Sequence, residues 1–409
     1  MENLIIFGGK GGVGKSSIST ATAVHLADQL QDQNVLLISF DIAHNLSDLF
    51  DKHIGNDVTQ ITKNLFAIEP DPDKYTKAYT GELTKKTQEL INSSKIIAMI
   101  PDLGNIISEA VEGDNIPLAL KNSLFFQSII DAENPMEQIG EKQMRYKGID
   151  QTDETPFEER QNIPDFDIIV CDFPPTGNMI ALFEIPTDAT QQMMRLTLKM
   201  LSSIQGSFNK LKKLTKWVKP ASWMANRIVG DERNEEDQLD KEEQKNLAQE
   251  ILDIVLDMEE RSKRITQLMN WLGSLRLVSI AEKPSFEEAK RARELSLPYV
   301  SVDAIHINRL IPESERGNSP YLDNILNNQE IYQKAIRDNF LDQKVWESQL
   351  LDQPPIGIEG LLKLAHEIYG DTPVWDILNP LHRVIKNPKK TKTEHVFKID
   401  EIRKKWDNA

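Results

Sequence analysis

A single cysteine, Cys171, stands in 409 residues, and that scarcity excludes several chemistries at once. No disulfide can form within the chain, and one subunit cannot build a thiolate zinc or iron–sulfur cage. Positive charge is also short: 48 Lys and Arg against 64 Asp and Glu leave a formal net charge of −16. A nucleic-acid platform is not expected, because a phosphate backbone rewards clustered cations. Long apolar runs are missing too; no stretch approaches the roughly 18–20 residues that span a bilayer. The opening Met1-Glu2-Asn3 lacks the basic and apolar regions of a secretory leader. The expectation is a soluble, cytoplasmic protein with no nucleic-acid partner. Hydrophobic residues still make up 39% of the chain, enough at this length for a large core and two lobes.

What is present begins with short apolar runs suited to buried parallel strands, at 4–7, 35–40, 65–68, 168–171, 275–280 and 302–307. Helical patterns separate many of them, so the fold class expected is α/β, a doubly wound, mostly parallel sheet. Two long segments interrupt the alternation. Residues 76–162 read as helical and polar-rich. Residues 187–272 carry amphipathic runs in which Met194, Leu198, Leu201, Phe208, Leu211 and Leu214 recur mostly at three- and four-residue spacings. That stripe suits the core of a helical lobe or a groove for a hydrophobic guest. The acidic stretch at 231–237 is expected to be a solvated loop. Both segments are expected to form one helical insertion subdomain beside a core of 1–75, 163–186 and 273–370. From Asp371 the chain is proline-broken and then basic (Lys386, Lys389, Lys390, Lys392), an appended arm over 371–409 with a short helix at its end. No internal repeat is found.

Residues 8–17, Gly-Gly-Lys-Gly-Gly-Val-Gly-Lys-Ser-Ser, fit the phosphate-loop pattern G-x-x-x-x-G-K-[ST] from Gly9 through Gly14, Lys15 and Ser16. The loop follows the apolar run 4–7 and opens a helical stretch expected over 17–30, the context the motif requires. Nucleotide contacts are expected from Gly9, Gly11, Gly12, Val13, Gly14, Lys15, Ser16 and Ser17. The glycines let the backbone aim N–H groups at phosphate oxygens at a helix N-terminus. Lys15 reaches the outer phosphates, and the Ser16 hydroxyl holds Mg²⁺. Ordinary phosphate loops need no second lysine such as Lys10. So early in the loop it is badly placed to fold back on its own site and better placed to reach a nucleotide across a dimer, as an arginine finger does in trans. ATP, Mg²⁺ and a homodimer meeting across the nucleotide follow from that reading.

Two further motifs carry carboxylates. Asp41 follows the strand 35–40, which is expected to adjoin the first strand, and would orient the attacking water. After the strand 168–171 comes Asp172-Phe173-Pro174-Pro175-Thr176-Gly177-Asn178. Asp172 is placed to hold Mg²⁺ or its water, while Pro175, Thr176 and Gly177 form a loop suited to switching between two states. His44 is expected to pack or bond structurally, and Cys171 to lie in the core.

In this order the three motifs GKGGVGKS, DIAHNLSD and DFPPTGN resemble the family of the arsenical pump-driving ATPase and the ATPase of guided entry of tail-anchored proteins. That family reads GKGGVGKT, DPAHSLSD or DPAHNLSD, and DTAPTGH. Glu282 to Arg291 is similar to the family's PExxSxxETxR, Asn308-Arg309 to its Asn after the next strand, and 353–370 to its terminal P…GxxxL…LYG segment. The resemblance implies that Lys10 acts in trans, that Asp41 is the catalytic carboxylate and that Asn45 touches the partner across the dimer. It also implies that Asn308 contacts adenine and that Pro354 lines the nucleotide site. Ile42, Phe173-Pro174 and Asn178 depart from the usual Pro, Thr-Ala and His. The family's zinc-binding C-x-x-C is absent from 313–326, so a zinc-held dimer is not expected. Partition and cell-division ATPases share Lys10 but are shorter and lack the other motifs. The implied function is ATP-driven capture of the transmembrane segments of tail-anchored proteins and their delivery to a membrane, with a membrane receptor as a further partner. The alternative, an arsenite-stimulated ATPase of an efflux pump, needs a three-sulfur site that Cys171 alone cannot supply.

Overall fold

All seven residues of Asn3–Gly9, the strand β1, are buried, and its side chains alternate between two separate cores. Leu4 and Ile6 face one, Ile5 and Phe7 the other, as the period of two in a strand requires. Such a strand is covered on both faces, which is why it reads as a continuous apolar run. The computed structural model describes residues 2–41, 45–71, 129, 136–138, 144–146, 164–184 and 264–384. All of them belong to one unit made of Met1–Tyr75, Phe125–Glu184 and Arg264–Thr391.

After β1 come α1 (Lys15–Gln29), β2 (Val35–Ser39), α2 (Asn45–Phe50), β3 (Thr59–Gln60) and β4 (Leu65–Ile68). A small pair follows, β5 (Met136–Gln138) with β6 (Met144–Tyr146), then β7 (Ile168–Asp172) and α3 (Thr176–Glu184). The last third holds β8 (Gly273–Ile280), α4 (Lys283–Ser296), β9 (Ser301–Leu310), α5 (Pro320–Asn339), β10 (Lys344–Gln349), α6 (Gly357–Tyr369) and α7 (Val374–Leu378). The main sheet has the order β10-β9-β8-β1-β7-β2-β4-β3, parallel except for the β3–β4 pair. Helices α1 and α6 cover one face through Ile18, Ala21, Val24, Leu361, Leu364 and Ile368. On the other face lie Met179 and Phe183 of α3, Phe286 and Ala289 of α4 and Ile336 of α5. The doubly wound α/β sheet expected from the alternation is the fold. Among the described residues no helix is long and apolar enough to cross a membrane.

Four expectations need correction. The strand bearing Asp41 does not adjoin β1: β7 lies between them and pairs in parallel with both. The β1–α1–β2 crossover skips one place, which a strand from beyond the first long insertion later fills. Residues 371–384 are not an appended arm, because Ile377 and Leu378 are buried in the core beneath α1 and α6. Fully buried Arg276 donates to the carbonyls of Ile377 and Leu378 at the end of α7. Arg383 binds the buried Asp303 carboxylate at 2.6 Å and the Gly273 carbonyl at 2.9 Å. The helical reading of 76–162 is interrupted by the antiparallel β5–β6 pair, whose three-residue strands are too short to leave an alternation in sequence. Helix α1 begins at Lys15, two residues earlier than expected. The apolar stripe at 193–217, the acidic stretch 231–237, Ile42, His44, the basic residues from Lys386 onward and most of both long insertions lie outside the described residues.

Candidate nucleotide site

Between the C-terminal end of β1 and the N-terminus of α1 the chain turns through residues 10–14, and glycine is required at two points. Gly9 has φ of +152°, and a Cβ there would stand 2.3 Å from the Val278 carbonyl of β8. Gly14 caps α1 with φ of +91°, and its Cβ would meet the Asn308 amide nitrogen at 2.4 Å. These are close backbone approaches that no other residue permits without displacement. The loop has a solvent side and a buried side. Lys10, Gly11 and Gly12 are exposed, Val13 is buried, and Ser16 and Ser17 are half-buried. Lys15, only 5% exposed, lays its ammonium toward the Lys10 carbonyl at 3.5 Å.

Strand β9 braces the loop from the side. The Asn308 amide donates to the Val13 carbonyl at 2.9 Å while its oxygen accepts from the Ser348 hydroxyl of β10 at 2.9 Å. Arg309, in the left-handed region at φ of +58°, donates to the Gly12 carbonyl at 2.9 Å. Asn308 is thus placed as a strut between β10 and the phosphate loop, a role that the sequence does not reveal. Pro354 lies exposed in the turn before α6, its carbonyl accepting from the Ile356 N–H at 2.9 Å.

The parallel strands β2, β4 and β7 each end in an acid. Asp172 closes β7 and is completely buried; neither oxygen has a hydrogen bond of full geometry among the described residues. Burial raises its pKa to about 7; the nearby Ser16 hydroxyl and Lys15 ammonium oppose that rise, and Asp41 and Glu69 add to it. Asp41 follows β2, half-buried, with its N–H on the Ser39 hydroxyl at 3.3 Å. Glu69 follows β4 and is bonded to the start of α2 by the Leu46 N–H at 2.8 Å. Sequence reasoning missed Glu69, although the signal was available: it is an acid at the C-terminal end of a parallel strand, in the same row as the other two.

The two motif loops meet through aromatic packing. The Phe40 N–H donates to the Asp172 carbonyl at 2.8 Å, and the Phe173 N–H to the Phe7 carbonyl at 3.0 Å. The Phe40 and Phe173 rings stand edge to face with centroids 5.1 Å apart. Phe173, fully buried, therefore serves the core at a position where the resembled family has threonine. Thr176 opens α3 with its hydroxyl buried and unpartnered among the described residues, flanked by exposed Pro175 and Gly177. Asn45 is the first residue of α2.

A buried carboxylate with no hydrogen bond of full geometry among the described residues, a nearby hydroxyl and a lysine at a helix N-terminus fit a nucleotide with a hard divalent cation. Such a cation takes oxygen ligands and few protein groups when phosphates supply the rest. No group of three or more His, Cys, Asp or Glu is arranged to hold a metal among the described residues. Cys171 is buried in β7 with its thiol pushed well above the ordinary range by burial.

The sequence model of the family described as anion-transporting ATPase matches residues 2–134 and 125–370. A protein of Prosthecochloris vibrioformis, provisionally named an arsenical pump-driving ATPase, is 27% identical over 386 residues, covering 92% of this chain and 77% of its own. A protein of Aquifex aeolicus with the same provisional name, numbered 1, is 28% identical over 382 residues, covering 90% and 79%. The ATPase ASNA1 homolog of Trypanosoma cruzi is 28% identical over 214 residues, covering 49% of this chain and 50% of its own.

Proposed function

This chain belongs to the anion-transporting ATPase family and is an ATPase; on that premise we propose that it works as a Mg²⁺-dependent homodimer. In this reading the dimer captures the transmembrane segments of tail-anchored proteins in the cytoplasm and delivers them to a membrane receptor. The observation that carries the nucleotide chemistry is the orphaned, fully buried Asp172 carboxylate beside Lys15 and Ser16. Asp172 and Ser16 are the residues that would hold Mg²⁺, which would supply neutralisation of phosphate charge. The loop N–H groups from Gly9 to Ser17 cradle the phosphates, with Lys15 on the outer ones. Asp41 orients the attacking water. Exposed Lys10 is the group a second protomer receives, and a trans cation of this kind contributes on the order of 10³–10⁵ in rate in related chemistry. No covalent intermediate is involved, so the residues act by position and charge.

Two lines support the targeting role: the similarity to the ATPase ASNA1 homolog, and the apolar stripe from Met193 to Trp217 in sequence. A client helix of about 20 residues is about 30 Å long. Covering about 1,000 Å² of it would contribute roughly 25 kcal/mol before costs. The names of several relatives favour a second reading, the ATPase of an arsenite efflux pump. Against it stands Cys171, buried and held as the neutral thiol, where a soft metalloid needs thiolates. The Asp41→Asn protein should bind ATP, turn over slowly and retain tail-anchored clients that mass spectrometry identifies. A purified dimer that holds no such segment with ATP, with ADP or without nucleotide would defeat the targeting role, and arsenite-stimulated turnover would favour the pump.

A further inference from the structure

We infer that Glu69 is a positioning residue for ATP hydrolysis, its carboxylate pinning the downstream end of the Asp41 loop to the end of β4; this rests on the ATPase reading. Glu69 is 2% exposed. One of its oxygens accepts from the Leu46 N–H at 2.8 Å and the other from the Ser47 hydroxyl at 3.2 Å. Its own N–H donates to the Gly55 carbonyl at 2.9 Å, and the Asp71 N–H donates to Asn56 Oδ1 at 2.5 Å. The Ser47 oxygen accepts from the Ile54 N–H at 3.0 Å, and its single proton is shared between Glu69 and the Ile54 carbonyl at 3.1 Å. Residues 45–56 are therefore laced to 69–71, with Glu69 contributing three of the bonds between them.

Capping a short helix does not by itself call for this residue. Asn or Ser satisfies the same N–H without burying a charge. Here the two oxygens of one carboxylate reach two successive residues of α2, Leu46 and Ser47, while the Glu69 N–H holds Gly55, which a single capping hydroxyl does not do. The loop that carries Asp41 leaves the sheet at Ser39 and enters α2 at Asn45. The sheet fixes its upstream end, and Glu69 fixes its downstream end. Releasing the second anchor multiplies the conformations in which Asp41 is out of line with the attacking water. Positioning of this kind governs the chemical step more than ground-state binding, so the effect falls on turnover.

The test compares full-length Glu69→Ala, Glu69→Gln and Ser47→Ala with the parent in steady-state Mg²⁺-ATP hydrolysis. Glu69→Ala should lower kcat about tenfold with KM changed by less than about threefold, the split that marks a positioning role. Glu69→Gln keeps an acceptor for the Leu46 N–H and should recover most of that loss. Ser47→Ala removes one of the two side-chain bonds and should lower kcat about threefold, a partial loss of the same anchor. Parental kcat in folded Glu69→Ala would overturn the inference. So would a rise of KM in step with the loss of kcat and no recovery by glutamine. Should Glu69→Ala fail to fold, parental kcat in Ser47→Ala overturns it equally. A parent protein with no ATP turnover sinks the ATPase reading instead, so the two failures are distinct.

Discussion

Asn308→Ala separates two roles for one side chain: a strut for the phosphate loop and a reader of the base. The amide is 5% exposed, and it links the Val13 carbonyl to the Ser348 hydroxyl through two hydrogen bonds of 2.9 Å each. Each such bond contributes about 1 kcal/mol net, and a buried partner left unsatisfied costs about 1–3 kcal/mol, so the substitution should destabilise by about 2–4 kcal/mol. If about 1.4 kcal/mol of this falls on the phosphate-binding conformation of the loop, affinity drops about tenfold. The discriminating assay titrates the variant with ATP and with inorganic tripolyphosphate, which has no base. A strut predicts the same factor of weakening for both ligands. Ser348→Ala, at a residue 2% exposed that holds the Asn308 oxygen, should reproduce part of the loss. The double variant should then lose less than the sum of the singles, because both report one shared bond. Unchanged tripolyphosphate affinity alongside weakened ATP binding would refute the strut and return Asn308 to the adenine contact implied by the family resemblance.

Two other outcomes follow from buried charge away from the nucleotide. His306 is buried among Phe7, Trp346 and Tyr369, and burial, then Arg276, hold its pKa well below 6.5. The unfolded chain takes up that proton more readily, so this group's contribution to stability is intact above about pH 6.5 and is lost as pH falls below it. His306→Phe should therefore flatten the acid limb of the stability–pH curve by up to about 1.4 kcal/mol per pH unit, and parallel curves would contradict the assignment. Arg383→Ala leaves the buried Asp303 carboxylate with the Ser301 hydroxyl, at 2.5 Å, as its hydrogen-bond donor among the described side chains. Denaturant unfolding should show a loss of about 3 kcal/mol. A change below about 0.5 kcal/mol would mean that the pair behaves as an exposed one and that 371–384 is loosely held after all.

The parts of the fold legible in sequence were those with local signatures. Continuous apolar runs announced β1, β2, β4, β7, β8 and β9 because burial on both faces leaves no polar alternation. The edge strand β10 escaped notice because Lys344 and Glu347 break its apolar pattern, as solvent on an edge permits. Strand order was not legible: β7, at Ile168–Asp172, reaches its place between β1 and β2 from beyond the first long insertion, and nothing local encodes that. The phosphate loop and both motif acids were readable from spacing and context. Ser348 was not, since it acts through Asn308, distant in sequence; Glu69 carried a signal in its place at the end of a strand, but its bonds to Leu46 and Ser47 left none. Arg276 and Arg383 show the same limit, for an arginine that clamps a distant segment looks in sequence like any surface cation.

The claim on which the account turns is that each protomer completes its neighbour's site with Lys10. Lys10→Ala and Asp41→Asn proteins should each be nearly inactive alone. Mixed in equal amounts and allowed to exchange subunits, half the dimers pair an intact Asp41 in one protomer with an intact Lys10 in the other. Turnover should then return to about a quarter of the parental rate, one working site in half of the symmetric dimers. A mixture no more active than its components, under conditions in which subunit exchange is demonstrated, would contradict the account.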